Sequence, residues 1–309
     1  MDTPDTVHPD KDSTLAIGEA ASNRNYDLFY TTVNDVYLNN EIPYANSVPF
    51  VFQRDIQTPL KFIGKSTSEP MDNFDYILMR KDPPYNMDYI FTTHILSLAK
   101  RAKVLNHPAS LREAPEKIYP LKFPGIFPPT YIGKSKSMLL EFAEKHEDVI
   151  LKPLDGNGGK GVLKTGLHDS NFYSICEILT QEYTQYTIIQ KYLPEVEQGD
   201  KRIILLDGEP VGAIVRKNEG HDIRTNLHVG GQSQKTDLDE YDKELCAMIG
   251  SQLVKDGLYF VGIDVIGKYI TEINVTSPTG IQEIKSWSNI DIADLFWEKL
   301  ESPADLNLN

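Results

Sequence analysis

The chain of 309 residues has few cysteines, no long apolar segment and a deficit of positive charge. Its cysteines, Cys176 and Cys246, form no CxxC pair and its histidines form no HExxH motif, which argues against a disulfide scaffold and a zinc site. No run reaches the roughly 18 apolar residues of a membrane helix, and the acidic N-terminus is not typical of a signal peptide. The formal net charge of −14 disfavours binding to nucleic acids or anionic membranes. We therefore expect a soluble cytoplasmic protein.

The remaining composition is that of a folded protein. Hydrophobic residues make up 40% and charged residues 25%, both ordinary for a globular chain, and the length suits two or three domains. In the N-terminal third, predicted strands at 26–31, 48–53 and 74–79 are interspersed with predicted helices at 13–23 and 87–100. This alternation favours an N-terminal open parallel α/β sheet.

A proline-rich stretch separates this part from a different pattern. Six prolines lie between positions 108 and 129, which predicts a boundary, and we divide the chain into domains 1–112 and 113–309. In the second part, predicted hairpins are mixed with helices. That mixture favours α+β architecture with antiparallel sheets.

A glycine loop in the second part matches G-x-G-x-x-G. A dinucleotide fingerprint needs a helix directly after the loop, but the residues that follow predict a strand, so we expect a hairpin flap over phosphates, with a plain flexible turn as the alternative. Lys152 ends the strand before the loop, among apolar neighbours, where a lysine can meet phosphate. The loop residues are Gly156, Asn157, Gly158, Gly159, Lys160 and Gly161.

Acidic residues also lie in an apolar hairpin. Asp264, Glu272 and Asn274 stand on two predicted strands joined at Gly267-Lys268. Buried acids are costly unless they are paired or bind metal, so the alternatives are a salt bridge to a buried arginine and a Mg²⁺ site. A shared metal requires Asp264 and Glu272 on one face. A regular hairpin with a two-residue loop would separate them, so we predict a three-residue loop or a bulge that pairs them.

Several longer motifs, read together, resemble the bacterial-type glutathione synthetases of the ATP-grasp superfamily. The resemblance extends from Lys11 to about Lys299. The motifs are Met79-Arg80-Lys81-Asp82-Pro83-Pro84-Tyr85, Lys152-Pro153-Leu154-Asp155-Gly156, Gly199-Asp200-Lys201-Arg202, Asp207-Gly208-Glu209-Pro210, Arg224-Thr225-Asn226-Leu227-His228-Val229-Gly230-Gly231 and Glu272-Ile273-Asn274-Val275-Thr276-Ser277-Pro278-Thr279-Gly280.

The resemblance implies an ATP-grasp domain with a small lid subdomain and a reaction. ATP would phosphorylate the cysteinyl carboxylate of γ-glutamylcysteine, and the amine of glycine would attack the acyl phosphate to give glutathione, ADP and phosphate. The implied cofactors are ATP and Mg²⁺, with Mn²⁺ as the alternative ion. The implied assembly is a homo-oligomer, a tetramer or a dimer.

The resemblance also implies residue roles. Lys117 and Lys152 would bind nucleotide phosphates, Asp200 the ribose, and Arg202 and Arg216 the transferring phosphoryl group or a substrate carboxylate. For the arginines the alternative is a surface ion pair. The adenine segment would be Gln190, Lys191, Tyr192 and Leu193. The γ-glutamylcysteine contacts would be Arg80, Asn226, Ser277 and Thr279. The metal ligands would be Asp264, Glu272 and Asn274.

Two further expectations concern the N-terminal strand and the alternative functions. The family usually begins with an apolar strand ending in Met-Asp-Pro, whereas Met1-Asp2-Thr3 stands at the end of that strand here, so we expect a missing first strand and a longer natural chain. The alternatives to glutathione synthesis are an ATP-grasp ligase for other substrates and a non-catalytic nucleotide-binding protein.

Overall fold

The computed structural model describes residues 1–53, 59–156, 158–218, 224–225 and 231–302. The helices are α1 Ser13–Asn23, α2 Met87–Leu96, α3 Pro108–Glu113, α4 Lys136–His146, α5 Phe172–Thr180, α6 Glu240–Lys255, α7 Ile281–Ser288 and α8 Ile292–Glu301. The strands are β1 Leu28–Tyr30, β2 Val36–Asn39, β3 Ile42–Phe52, β4 Leu60–Phe62, β5 Thr67–Pro70, β6 Tyr76–Leu78, β7 Lys103–Leu105, β8 Thr130–Gly133, β9 Asp148–Pro153, β10 Leu163–Gly166, β11 Thr187–Lys191, β12 Asp200–Leu206, β13 Glu209–Lys217, β14 Gln232–Lys235, β15 Phe260–Ile266 and β16 Tyr269–Asn274.

The N-terminal sheet corrects the prediction of an open parallel sheet. Strand β3 pairs with β1, β2, β4 and β5, and every one of these pairs is antiparallel. Only β6 and β7, which flank helix α2, form a parallel pair among the described residues. The reason is the connections: a crossover helix returns the chain in the same direction, whereas the tight turn between β2 and β3 reverses it.

The C-terminal part contains the antiparallel sheets predicted from its hairpins. One sheet has the order β10-β9-β11-β8 and the other has the order β14-β13-β12-β15-β16. Helices α4 and α5 contact the first sheet, and α6 and α7 contact the second. The glycine loop lies between the antiparallel strands β9 and β10, so the predicted strand–loop–strand order is confirmed.

Strands β12 and β15 form the buried centre of the larger sheet. Almost every residue on both strands is inaccessible to solvent, and their apolar side chains join two clusters that pack against α6 on one side and α7 and α8 on the other. Charged residues on these strands are therefore held away from water. Both cysteines are buried as well.

Local signals explain several element boundaries. Helix α1 begins after Asp12, whose side chain accepts a hydrogen bond from Leu15 N at 2.8 Å, and the predicted bounds of this helix are confirmed. Helix α6 begins after Asp239 with a reciprocal capping box to Asp242. Among the residues described, none of the helices combines the length and the apolar character needed to cross a bilayer.

Candidate active site

A cavity lies between the two C-terminal sheets. It receives side chains from β9 and β11 on one side and from β12, β15 and β16 on the other, so five strands fix its shape. Apart from Arg224, its charged lining comes from residues predicted to act on a nucleotide or a metal ion. The lining residues include Lys152, Gln190, Lys191, Tyr192, Leu193, Asp200, Asp264 and Glu272.

The acidic hairpin has the register that a shared site requires. Ile266 pairs with Tyr269, the register then shifts, and Asp264 pairs directly with Glu272. The extra residue is Thr271, whose hydroxyl donates to Asp264 O at 3.2 Å. The predicted bulge is confirmed, and both carboxylates line the same cavity.

Asp264 is held by two arginines. Its carboxylate accepts two hydrogen bonds from Arg202, at 2.5 Å and 3.0 Å, and its Oδ2 lies 2.9 Å from Nη2 of Arg216. All three side chains are buried. Burial acts to raise the pKa of Asp264, but the two guanidinium groups outweigh it and hold that pKa well below its usual range. Asp264 therefore forms the salt bridge to buried arginine that was the alternative to a metal site.

Arg216 also joins Asp264 to Asp200. The Nη2 of Arg216 donates to Asp200 Oδ2, and Thr225 Oγ1 donates to the same oxygen at 3.1 Å. Burial and the Asp264 carboxylate raise the pKa of Asp200, against the effect of Arg216. Within the described part of the chain, the buried Asp200 Oδ1 has no hydrogen-bond partner. An orphaned acceptor in a cavity wall calls for a donor from a bound molecule.

Glu272 lies between two lysines. Its Oε1 is 3.7 Å from Nζ of Lys117 and 3.5 Å from Nζ of Lys152, and both lysines are buried. Burial lowers the pKa of Lys152, and Glu272 opposes this shift. For Glu272 itself, burial acts to raise the pKa, but the two lysines outweigh it.

The donor set at the hairpin suits a hard divalent cation. Asn274 donates its side-chain amide N–H to Gly262 O at 3.2 Å, which leaves its Oδ1 to accept or to ligate. Together with Asp264 and Glu272 this gives two carboxylates and one amide oxygen. No group of three or more His, Cys, Asp or Glu residues suited to a metal occurs in the described ranges. A cation held here would therefore need further oxygens, such as those of phosphate or water.

The glycine loop reaches the same site. Lys117 Nζ donates to Gly156 O, which ties the start of the loop to the lysine beside Glu272. Gly158, Gly159 and Gly161 have positive φ angles, a conformation that glycine adopts without strain. Asn157 lies outside the described residues, and Lys160 is exposed.

The predicted adenine segment begins in the last two residues of strand β11 and continues beyond it. Gln190 is buried and donates from Nε2 to Thr130 Oγ1 at 2.8 Å. The backbone N–H groups of Lys191 and Tyr192 donate to Pro129 O and Asp148 O. Both amides are therefore used inside the fold. The apolar lining beside the segment consists of Ile150, Val162, Val196 and Ile266.

The residues predicted to bind the dipeptide lie around one segment. Arg80 is buried, donates to Pro278 O at 2.9 Å and to Thr14 Oγ1 at 3.1 Å, and lies 5.1 Å from the ring centroid of Phe260. Thr279 O accepts a hydrogen bond from Arg202 at 3.2 Å. Arg80 and Arg202 thus both contact the turn at 277–280, although Arg80 does not line the main cavity.

Helix α7 begins directly after this turn, at Ile281. Asn226, predicted to contact the dipeptide, lies outside the described residues.

Three residues of the site were missed by sequence reasoning. Thr225 bonds to Asp200, and Thr271 is the extra residue of the bulge. Glu116 directly precedes Lys117 and accepts a hydrogen bond from Thr276. Thr225 lies inside a recognised motif and could have been found there. The partner of Glu116 is 160 residues away, so no local pattern indicates it.

The fold and this site define an ATP-grasp domain. The family profile described as the ATP-grasp domain of prokaryotic glutathione synthetase matches residues 116–289, and the profile of its N-terminal domain matches residues 1–112. Together the two profiles cover most of the chain, which belongs to the prokaryotic glutathione synthetase family. Membership makes it an ATP-dependent ligase that uses ATP together with a divalent metal ion.

Individual relatives agree over nearly the whole length. The chain is 42% identical over 302 residues to the glutathione synthetase of Mesorhizobium japonicum, covering 97% of this chain and 96% of the relative. It is 40% identical to the Synechocystis enzyme of the same name, with 95% of each chain covered. Among solved structures, the ATP-grasp ligase PsnB in complex with Mg and ADP superposes with a TM-score of 0.62 at 14% identity, covering 96% of this chain and 95% of that one. The last similarity concerns the fold alone.

Proposed function

We propose that the chain joins γ-glutamylcysteine to glycine to form glutathione, with conversion of ATP to ADP and phosphate through an acyl phosphate. The observation that carries this proposal is the similarity to glutathione synthetases over both halves of the chain. Lys152, Asp264 and Glu272 line one cavity, with Lys117 beside Glu272, and this arrangement supports it. A cytoplasmic location and a homo-oligomeric state stay predictions from the sequence.

The first chemical requirement is to bring a polyanion to a carboxylate. Phosphoryl transfer depends mainly on positioning and on neutralising charge, and four buried cations pair with the carboxylates of Asp264 and Glu272, which line the cavity. Lys117 and Lys152 would contact the nucleotide phosphates under the glycine loop. Arg202 and Arg216 would neutralise charge on the phosphoryl group as it moves to the cysteinyl carboxylate.

These cations are already paired with carboxylates, so nucleotide binding would exchange one set of ion pairs for another. Glu272 pairs with both lysines, and Asp264 pairs with both arginines. Phosphate oxygens would replace the carboxylates as partners of the cations. The released carboxylates of Asp264 and Glu272, together with Asn274 Oδ1, would then hold the divalent ion. Mg²⁺ suits these oxygen donors, with Mn²⁺ as the alternative. When bound, the ion supplies positive charge and orientation to the phosphate oxygens.

The other groups position the substrates. Asp200 Oδ1 would accept from a ribose hydroxyl, which satisfies its missing hydrogen bond. The adenine would lie against the apolar lining beside 190–193. Because the amides of Lys191 and Tyr192 are engaged, the base would be contacted by other groups of that segment. Arg80 and the turn at Ser277 and Thr279 would hold the dipeptide so that its activated carboxyl faces the amine of glycine.

The test is ADP release by the purified protein with Mg²⁺-ATP and γ-glutamylcysteine, with and without glycine. We expect release that depends on glycine, together with a product of the mass of glutathione. D-Alanine in place of γ-glutamylcysteine and glycine is the control, and it should give no ADP release above background. Release with D-alanine but not with the dipeptide and glycine would contradict the proposed substrates.

A further inference from the structure

Glu116 lies against the outer strand of the larger sheet. The Ile273 N–H of β16 donates to Glu116 O at 3.0 Å, and farther along the same edge Ile270 N donates to Ile126 O at 2.8 Å. Strand β16 ends the sheet, so the segment from 116 to 126 occupies its free edge. Ile273 stands between Glu272 and Asn274, two of the proposed metal ligands.

The side chain of Glu116 makes a second connection. Its Oε1 accepts from Thr276 Oγ1 at 2.7 Å, and Thr276 is buried. Burial raises the pKa of Glu116, although the charge of Lys117 and the Thr276 hydroxyl oppose the shift. Thr276 directly precedes Ser277, where the proposed dipeptide-binding turn begins. One residue thus bonds to β16 through its backbone and to the following turn through its side chain.

The next residue along the chain is Lys117, whose side chain is buried beside the cavity-lining Glu272. Its Nζ lies near Glu272 and donates to Gly156 O at the start of the glycine loop. The direction of Lys117 depends on how the backbone at 116 is fixed. Near residue 116 the segment has one backbone bond to β16, because the bond at Ile126 lies ten residues farther along the chain, so the backbone at 116 could pivot about that one bond. The bond to Thr276 adds a second point and removes that freedom.

We propose that Glu116 is a positioning residue, which through its hydrogen bond to Thr276 fixes Lys117 against Glu272 and the nucleotide phosphates. The inference rests on the proposed role of Lys117 in phosphate binding. It assigns no contact between Glu116 and any substrate. What matters is the accepted hydrogen bond, and Gln keeps an acceptor at the same place whereas Ala removes it.

The experiment compares matched variants by calorimetric binding of ADP with Mg²⁺ and by steady-state kinetics. Glu116→Ala and Thr276→Val should each weaken ADP binding by about tenfold and raise KM for ATP, because both remove the same bond. The double variant should be no weaker than the more affected single variant, since the two side chains act as one pair. Glu116→Gln and Thr276→Ser should restore binding to near wild type. Glu113→Ala, which changes an exposed carboxylate just upstream, is the control and should change nothing.

Three results would overturn the inference. If Glu116→Gln bound ADP as weakly as Glu116→Ala, the effect would be assigned to charge. If the effects of the two single variants added in the double variant, the two side chains would act separately. If Glu116→Ala lowered only the melting temperature and left ADP binding intact, the contact would be merely structural. ADP binding needs no acceptor substrate, so these outcomes are independent of whether glycine-dependent turnover identifies the reaction.

Discussion

Asp264 and Glu272 stand directly opposite each other on β15 and β16, and one extra residue in β16 makes this possible. Without the bulge at Thr271, the alternation of side chains along a strand would direct the two carboxylates to opposite faces of the sheet. With it, both carboxylates line one cavity, and Asp264 pairs with two arginines while Glu272 lies between two lysines. The hairpin thereby holds two neighbouring groups, in each of which one carboxylate is shared by two cations.

Glu272→Gln should reduce kcat by at least about 100-fold while the protein stays folded, because the amide cannot replace a metal-binding and lysine-pairing carboxylate. The side chain is one-fifth exposed, so the loss of its charge is tolerated better than at a fully buried position. Turnover and the circular dichroism melting curve measure the two effects. Glu209→Gln, at the exposed start of β13, is the control. Turnover near wild type in Glu272→Gln would refute the metal assignment.

Asp264→Ala should destabilise the fold as well as abolish turnover. It leaves Arg202 and Arg216 buried without their shared carboxylate, and breaking a buried ion pair in this way typically costs about 3–5 kcal/mol. Urea unfolding measures the change. The matched control is Glu240→Ala, which breaks an exposed pair with Lys243 and should cost at most about 1 kcal/mol. Equal unfolding midpoints for the two variants would contradict the buried network.

Asp200→Asn should remove the preference for ribose over deoxyribose. The orphaned Oδ1 of Asp200 is the proposed acceptor for a ribose hydroxyl, and a hydrogen bond to a charged group contributes about 1.5–3 kcal/mol. We expect KM for ATP to rise by about tenfold or more, and KM for 2′-deoxy-ATP to change much less. Asp237→Asn, at an exposed position, should leave both values unchanged. An unaltered ratio of the two values in Asp200→Asn would place the ribose elsewhere.

Deprotonation of Lys152 should lower the activity at alkaline pH. Burial lowers its pKa, so the protonated form that meets phosphate is lost at a lower pH than for an ordinary lysine with a pKa of about 10.4. The measured profile of kcat/KM for ATP should therefore fall before that pH is reached. Lys152→Met should abolish this alkaline limb together with most of the ATP affinity.

Lys164→Met is the matched control for Lys152, because Lys164 lies on the adjacent strand β10 and is exposed. Its pH profile should be that of the wild type. Should Lys152→Met keep the wild-type alkaline limb, another group would be responsible for it.

The sequence allowed prediction of those features that depend on neighbouring residues. Asp12 is a short polar acceptor before an apolar run, and it fixes the start of α1. A bulge between Asp264 and Glu272 was predictable because two buried acids in a two-residue hairpin have a shared role only if they are paired, but its place at Thr271 was not. Motif resemblance then supplied residues such as Lys117, whose surroundings give little local signal.

Features that depend on distant residues were not predictable in this way. The segment 48–53 reads as a short strand, but it is the end of β3, whose four antiparallel partners decide the architecture of the N-terminal sheet. The salt bridge and the metal site at Asp264 were treated as alternatives. The structure shows that Arg202 and Arg216 pair with this acid, and the proposed exchange with phosphate lets one carboxylate serve both purposes.

The 160 residues between Glu116 and Thr276 also bear on how the protein is made. During synthesis, Lys117 and Lys152 leave the ribosome long before Glu272 and Asp264, so the nascent chain carries the cations of the site without their carboxylates. Contacts of such long range form late and slowly in folding. A chain released before the β15–β16 hairpin is complete would therefore lack the nucleotide site, and binding of ATP would report that synthesis had reached this hairpin.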